Sequence, residues 1–86
     1  MNNWFVYILR CADNSLYTGV TTDVERRLAE HNDDNRLGAR YTRARRPVSL
    51  IYQEAQPNRS AACRREAEIR KLTKREKETL VKNGQA

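Results

Sequence analysis

The stretch Trp4-Phe5-Val6-Tyr7-Ile8-Leu9 is apolar at every position and rich in aromatic and β-branched side chains. Six residues are too few for an isolated helix, and both alternating faces are apolar, which predicts a central strand covered on both sides. Asp13-Asn14-Ser15 carries turn chemistry, and Leu16-Tyr17-Thr18-Gly19-Val20 follows as the second arm of a hairpin. Next, Thr22-Asp23-Val24-Glu25 has the spacing of a capping box, with the threonine hydroxyl over the amide three residues on and the glutamate reaching back. A helix is predicted from Asp23 to about Asn32. On it Val24 and Leu28 point one way, and Arg27 and His31 flank them on the same face.

From Asp33 to Pro47 no apolar period survives. The segment holds Arg36, Arg40, Arg43, Arg45 and Arg46 with no acid after Asp34, and reads as a basic loop. Val48-Ser49-Leu50-Ile51-Tyr52 resumes as a third strand, closed by Pro57-Asn58. A second helix is predicted from Arg59 or Ser60 through Leu72. Thr73-Lys74-Arg75-Glu76 is another capping box, starting a short last helix that Gly84 can end. The order ββαβαα predicts an α+β fold, a small three-stranded antiparallel sheet flanked by helices. One domain is expected over residues 1–83, with 84–86 a tail.

Length limits the kind of site such a fold can offer. A chain of 86 residues buries only about 60–65% of the surface it exposes unfolded, so the core is thin and a site must lie on a face or in a shallow groove. Charge narrows the choice of partner. Seventeen Lys and Arg stand against eleven Asp and Glu, and the whole net +6 falls in residues 44–86. A one-sided positive field favours a polyanion, nucleic acid first. A membrane partner is not expected, because no apolar run approaches the roughly 20 residues needed to span. Cys11 and Cys63 make no disulfide framework or metal finger and read as packing residues. Met1-Asn2-Asn3-Trp4 has neither a charged start nor a long apolar stretch, so no secretory leader is expected, and the setting is cytoplasmic and reducing.

Several side chains stand out against this background. On the second helix Ala62 and Ile69 anchor an apolar arc, with Leu72 and Cys63 at its margins, and Glu66 falls inside it. A carboxylate there needs a partner: Arg27 or Arg70 in a structural ion pair, or else a metal or a reaction. Tyr7 and Tyr17 lie on the two arms of the hairpin, where their hydroxyls can meet. Buried strand tyrosines are mostly core residues with a satisfied hydroxyl. Arg27 and His31, four apart on a helix, are equally ordinary at a core edge.

In combination these residues mean more. Val6-Tyr7-Ile8, then Tyr17-Thr18-Gly19, then Thr22-Asp23-Val24-Glu25-Arg26-Arg27-Leu28-Ala29-Glu30-His31 resembles the GIY-YIG nuclease domain. The runs Cys11–Gly19 and Ile69–Lys77 resemble the small stand-alone bacterial branch of that superfamily, the YhbQ-like proteins. The resemblance covers about residues 3–82 and implies a metal-dependent endonuclease acting on DNA, RNA not being excluded, linked to DNA repair or processing. It places the two motif tyrosines at Tyr7 and Tyr17, the helix arginine at Arg27, the helix histidine at His31 and the metal-binding glutamate at Glu66. Glu66 would hold Mg²⁺ or Mn²⁺, a hard cation that keeps several waters. Arg27 suits the non-bridging oxygens of a crowded phosphate. Tyr7 would help deprotonate water, supported by His31 or Tyr17. A free tyrosine titrates near pH 10, so this role requires nearby positive charge, Arg27 and the metal, to lower its pKa.

Departures from the family pattern are Val6 for glycine, Thr18 for isoleucine, and a downstream polar residue, often asparagine, for which only Asn83 is at hand. The basic residues Arg36, Arg40, Arg43, Arg45, Arg46, Lys71 and Lys74 are expected to contact phosphates. With no second domain, targeting is expected from a separate protein, and the chain is expected to be a monomer or weak dimer. The alternatives are a nucleic-acid-binding module that keeps the fold without cleaving, and a protein-interaction scaffold.

Overall fold

In the computed structural model, which describes residues 3–84, the elements in chain order are β1 (Trp4–Arg10), β2 (Leu16–Thr21), α1 (Val24–Asp33), α2 (Arg40–Arg43), β3 (Ser49–Gln56), α3 (Arg59–Arg70) and α4 (Lys74–Gly84). The strands form one antiparallel sheet in the order β2-β1-β3. This is the predicted α+β arrangement with one addition. The basic segment is not all loop: it contains the short turn of helix α2, which no apolar period announced.

β1 is central and covered on both sides, as its two apolar faces require. Val6 and Ile8 pack with Ala62 and Ile69 of α3 and Val81 of α4. Tyr7 and Leu9 face the other way, with Cys11, Val48, Leu28 of α1, Tyr17 and Leu50. Each fully buried Val, Leu or Ile contributes about 1.5–3 kcal/mol, so β1 alone anchors both layers. β3 runs longer than its apolar part, to Gln56, and carries a bulge: Ile8 pairs with Tyr52 but Leu9 with Leu50. The extra residue breaks the alternation, so consecutive Ile51 and Tyr52 both pack toward α3 and α4.

Local chemistry explains the element ends. Asn14 adopts φ 69°, and the Asp13 carboxylate accepts from the Ser15 amide and hydroxyl, closing the hairpin. The last capping box forms as predicted, Glu76 N donating to Thr73 Oγ1 at 3.1 Å and Thr73 N to Glu76 Oε1 at 2.8 Å. The first does not. Asp23, not Thr22, caps α1 by accepting from the Arg26 amide, and the Asp23 amide itself donates to Thr21 Oγ1. Asp23 wins because Thr21, at the strand end, holds the entering chain one residue later. α3 stops at Arg70 rather than Leu72, and Asn58 caps its start. Of the two cysteines Cys11 is buried, whereas Cys63 on α3 is exposed, which corrects its reading as a packing residue. Residues 85 and 86 of the expected tail lie outside the described residues, and Gly84 belongs to α4. No helix among the described residues is long and apolar enough to cross a membrane.

Candidate active site

The site is built around Tyr7. β1 pairs Tyr7 with Gly19 of β2, and the tyrosine ring lies across that glycine: a Cβ placed there would stand 2.6 Å from Tyr7 Cζ. Only the missing side chain lets the ring reach the edge of the sheet. There its hydroxyl meets Nε2 of His31, on α1, at 2.8 Å. His31 is wholly buried, and its Nδ1 lies 2.7 Å from Oγ1 of Thr42, on α2. Thr42 in turn donates to the Ala39 carbonyl oxygen at 3.0 Å. Tyr17 sits diagonally across the hairpin, packs edge-on to His31 with ring centroids 5.1 Å apart, and stacks with Tyr41 at 5.9 Å.

Two charged groups complete the edge. Arg27 of α1 is fixed by Glu30 at 2.9 Å and by the Leu37 carbonyl oxygen, and its guanidinium acts on the Tyr7 hydroxyl. Glu66 comes from α3 on the opposite layer, beside β2, and its charge also reaches Tyr7. Its partner is settled: Arg70 pairs with it at 3.3 Å and also donates to the Thr18 carbonyl oxygen, whereas Arg27 belongs to Glu30. Glu66 is thus at the rim of the apolar arc, its side chain 21% exposed, rather than sealed inside it.

Burial pushes the Tyr7 hydroxyl up to about 12, with Tyr17 and Glu66 adding to the rise and Arg27 opposing it. Of the two charges expected to lower Tyr7, Arg27 and a metal ion, Arg27 alone does not offset the desolvation. Burial and the Arg27 charge drive His31 down to about 4, with Arg46 acting the same way and Glu30 against it. Both groups are therefore neutral at pH 7.

A stability consequence follows. The unfolded chain protonates His31 near its ordinary 6.5, while the folded chain refuses the proton until about 4. Unfolding free energy should therefore fall by about 3 kcal/mol as pH drops from above 6.5 to below 4. Glu78, held down to about 2 by Arg10, adds its own acid loss only below about 4.5, so the upper part of the window reports His31. Urea midpoints at pH 7.5, 6 and 5 check this. Midpoints that stay level across that range would mean the imidazole is free to protonate in the folded protein.

The basic residues divide. Arg43 donates to the Asn35 carbonyl oxygen; Arg45 pairs with Asp13, donates to the Tyr41 carbonyl oxygen and lies over the Tyr41 ring. Arg46 donates to the carbonyl oxygens of His31 and Asp34 and to Asn35 Oδ1, and Lys74 pairs with Glu78. These four spend their charge holding the chain together. Arg36, Arg40 and Lys71 are exposed, as is Asn83 near the end of α4. Among the described residues no group of three or more His, Cys, Asp or Glu side chains converges on one point, so no closed protein cage for a metal is present. A single carboxylate at the rim, Glu66, fits a hard cation that keeps most of its water shell. Arg70 is one of the two partners expected for Glu66; Thr42 and Gly19 belong to the site although sequence reasoning gave neither a role. Only Gly19 carried a signal, a glycine inside a strand marking a close approach.

A central strand tyrosine brought beside a histidine, an arginine and a glutamate at one edge of a three-stranded sheet defines a fold of nuclease type. Residues 3–79 match the family described as the GIY-YIG catalytic domain, and the chain belongs to that family. UPF0213 protein DP2720 of Desulfotalea psychrophila is 56% identical over 79 residues, covering 92% of this chain and 71% of that protein. UPF0213 protein HQ_3675A of Haloquadratum walsbyi is 52% identical over 85 residues, covering 98% and 93%. The solution NMR structure of UPF0213 protein BH0048 from Bacillus halodurans is similar with a TM-score of 0.61 at 46% identity, covering 96% of this chain and 87% of that one. These relatives make up a small stand-alone branch of the family.

Proposed function

We propose that the protein is an endonuclease that hydrolyses DNA phosphodiester bonds with the help of Mg²⁺ or Mn²⁺ and acts on structured DNA in repair or processing. The observation that carries this reading is the hydrogen bond between Tyr7 and a buried, neutral His31, with Arg27 and Glu66 acting on the same hydroxyl. A structural tyrosine needs a partner for its hydroxyl, but it has no need of an arginine and a carboxylate of opposite sign beside it.

Chemically, Tyr7 Oη takes a proton from the attacking water as its own proton passes to His31 Nε2. The water oxygen bonds to phosphorus, the P–O3′ bond breaks, and the leaving oxygen takes a proton from solvent. His31 then returns its proton to solvent by way of Tyr7. Arg27, locked by Glu30 and Leu37, stabilises charge on the non-bridging oxygens without having to reorganise. Glu66 would hold the divalent ion, which when bound supplies neutralisation of the phosphate and of the leaving oxygen. Arg70 releases Glu66 for that purpose; its side chain is 55% exposed and the pair is weak in water. Arg36, Arg40 and Lys71 contact the flanking phosphates, a salt-sensitive and sequence-blind term. The cytoplasm, and a separate protein that supplies targeting, complete the proposal.

Glu66→Ala tests it. Cleavage of labelled linear, nicked and branched DNA in Mg²⁺ and in Mn²⁺, at low salt, should fall by roughly 100-fold or more. The melting temperature should barely move, since an exposed ion pair is worth about 0–1 kcal/mol. Wild-type protein that binds these DNAs and leaves all of them uncut in both metals would make it a binding module. Cleavage that survives the substitution unchanged would remove Glu66 from the site.

A further inference from the structure

We propose that Thr42 is a positioning residue that sets the tautomer of His31: its hydroxyl accepts from His31 Nδ1–H, which leaves Nε2 with the lone pair that receives the Tyr7 proton. The direction of the chain is dictated at its far end. The Ala39 carbonyl oxygen can only accept, so Thr42 Oγ1 donates to it, 3.0 Å away. Having spent its one proton, that hydroxyl can only accept from His31 Nδ1, 2.7 Å away. The Nδ1 proton is then fixed, and Nε2, 2.8 Å from Tyr7 Oη, must be the acceptor. Threonine and histidine are both wholly buried, so no water competes for either. The groups that face the imidazole besides these are Tyr17 from β2, Arg27 and Glu30 from its own helix, and Arg46 from the loop before β3.

This gives the short helix α2 a purpose. Its Thr42 holds the back of His31 while the neighbouring Tyr41 stacks on Tyr17, and Arg45 lies over Tyr41. This part of the basic segment, Tyr41, Thr42 and Arg45, acts from behind the relay, while Arg36 and Arg40 stay exposed for phosphate. The proposal rests on the nuclease reading only for its effect on rate. The tautomer it assigns is a property of the folded protein without substrate.

His31 is the chain's one histidine, so its ring nitrogens can be read directly by long-range proton–nitrogen NMR of the whole protein. Wild type should show Nδ1 protonated and Nε2 bare. Thr42→Val, which removes the hydroxyl at nearly constant shape, should move the ring toward the Nε2–H form or a mixture and lower DNA cleavage roughly 10- to 100-fold. Thr42→Ser keeps the hydroxyl and should restore both the spectrum and the rate. A wild-type ring protonated at Nε2 overturns the proposal, and so does a Thr42→Val ring that keeps the wild-type tautomer. Should the valine variant not fold, the serine variant decides: a wild-type spectrum supports the assignment and a shifted one overturns it. If wild type cuts no DNA, the nuclease reading fails while the spectra still decide the role of Thr42.

Discussion

Tyr7→Phe should leave a folded protein and lower DNA cleavage by about 10²- to 10⁴-fold, the usual contribution of a positioned proton-transfer group. The substitution keeps the ring over Gly19 and deletes only the hydroxyl that meets His31. The buried Nε2 then has no donor, which costs about 1–3 kcal/mol of stability. That is affordable in a domain worth about 5–15 kcal/mol, so a rate loss of this size cannot come from unfolding. Single-turnover cleavage, measured beside a thermal melt of the same preparation, separates the two effects. A variant that melts lower yet cuts at the wild-type rate would make Tyr7 a core tyrosine with a satisfied hydroxyl and nothing more.

With both partners neutral, the proposed mechanism requires the pair to work as a unit. With its pKa near 12, Tyr7 does not ionise at pH 7 to act as a free base; with a pKa near 4, His31 is neutral and carries one ring proton, which the tautomer proposed above places on Nδ1. In the proposed mechanism tyrosine receives a proton from water only as it gives one up, and the buried imidazole is where that proton goes. Burial, which raises Tyr7 against the pull of Arg27, is also what keeps His31 neutral.

Gly19→Ala should damage the site through a single added methyl group. The new Cβ would stand 2.6 Å from Tyr7 Cζ and closer still to the hydroxyl oxygen. Such a contact is relieved only if something yields, and the ring cannot: its hydroxyl is held by His31, and His31 by Thr42. Overpacking of this kind costs about 1–3 kcal/mol, and the displaced hydroxyl should take cleavage with it. The backbone at Gly19 is ordinary extended strand, so the requirement is for space and not for unusual dihedrals. A double-mutant cycle isolates the clash. In a Tyr7→Ala background the Gly19→Ala penalty should vanish, since residues in direct contact couple and distant ones add. An equal penalty in both backgrounds would place the strain somewhere other than the tyrosine ring.

Much of this molecule can be read from neighbouring residues. An unbroken apolar run at Trp4–Leu9 can only be a strand covered on two sides, and it became the centre of the sheet. The box at Thr73–Glu76 satisfies two amides with two side chains three residues apart, and it formed as written. Where a second local option lay one residue away, as with Asp23 beside Thr22, the better-held cap prevailed and the helix began one residue later. The residues of the site were named in advance because they match a family pattern; their spacing alone left Tyr7, Tyr17 and His31 as ordinary core residues.

Their convergence was a different matter. Tyr7 and His31 are 24 residues apart, and His31 and Thr42 are 11 apart, joined across three elements that meet only when the sheet and helices pack. Whether a charge is free for a ligand or spent inside the protein is decided at the same level. Arg45 and Arg46 look identical in sequence to Arg36 and Arg40, yet packing turns the first two onto Asp13, Tyr41 and the end of α1. The sequence by itself determined the elements, the two-sided central strand and the residue types that the chemistry requires, because periodicity and capping act over a few residues. Tertiary structure alone decided which arginines reach solvent, that burial raises Tyr7 and lowers His31, and that Thr42 stands behind the histidine, because desolvation and hydrogen-bond direction exist only once distant segments have excluded water from between them.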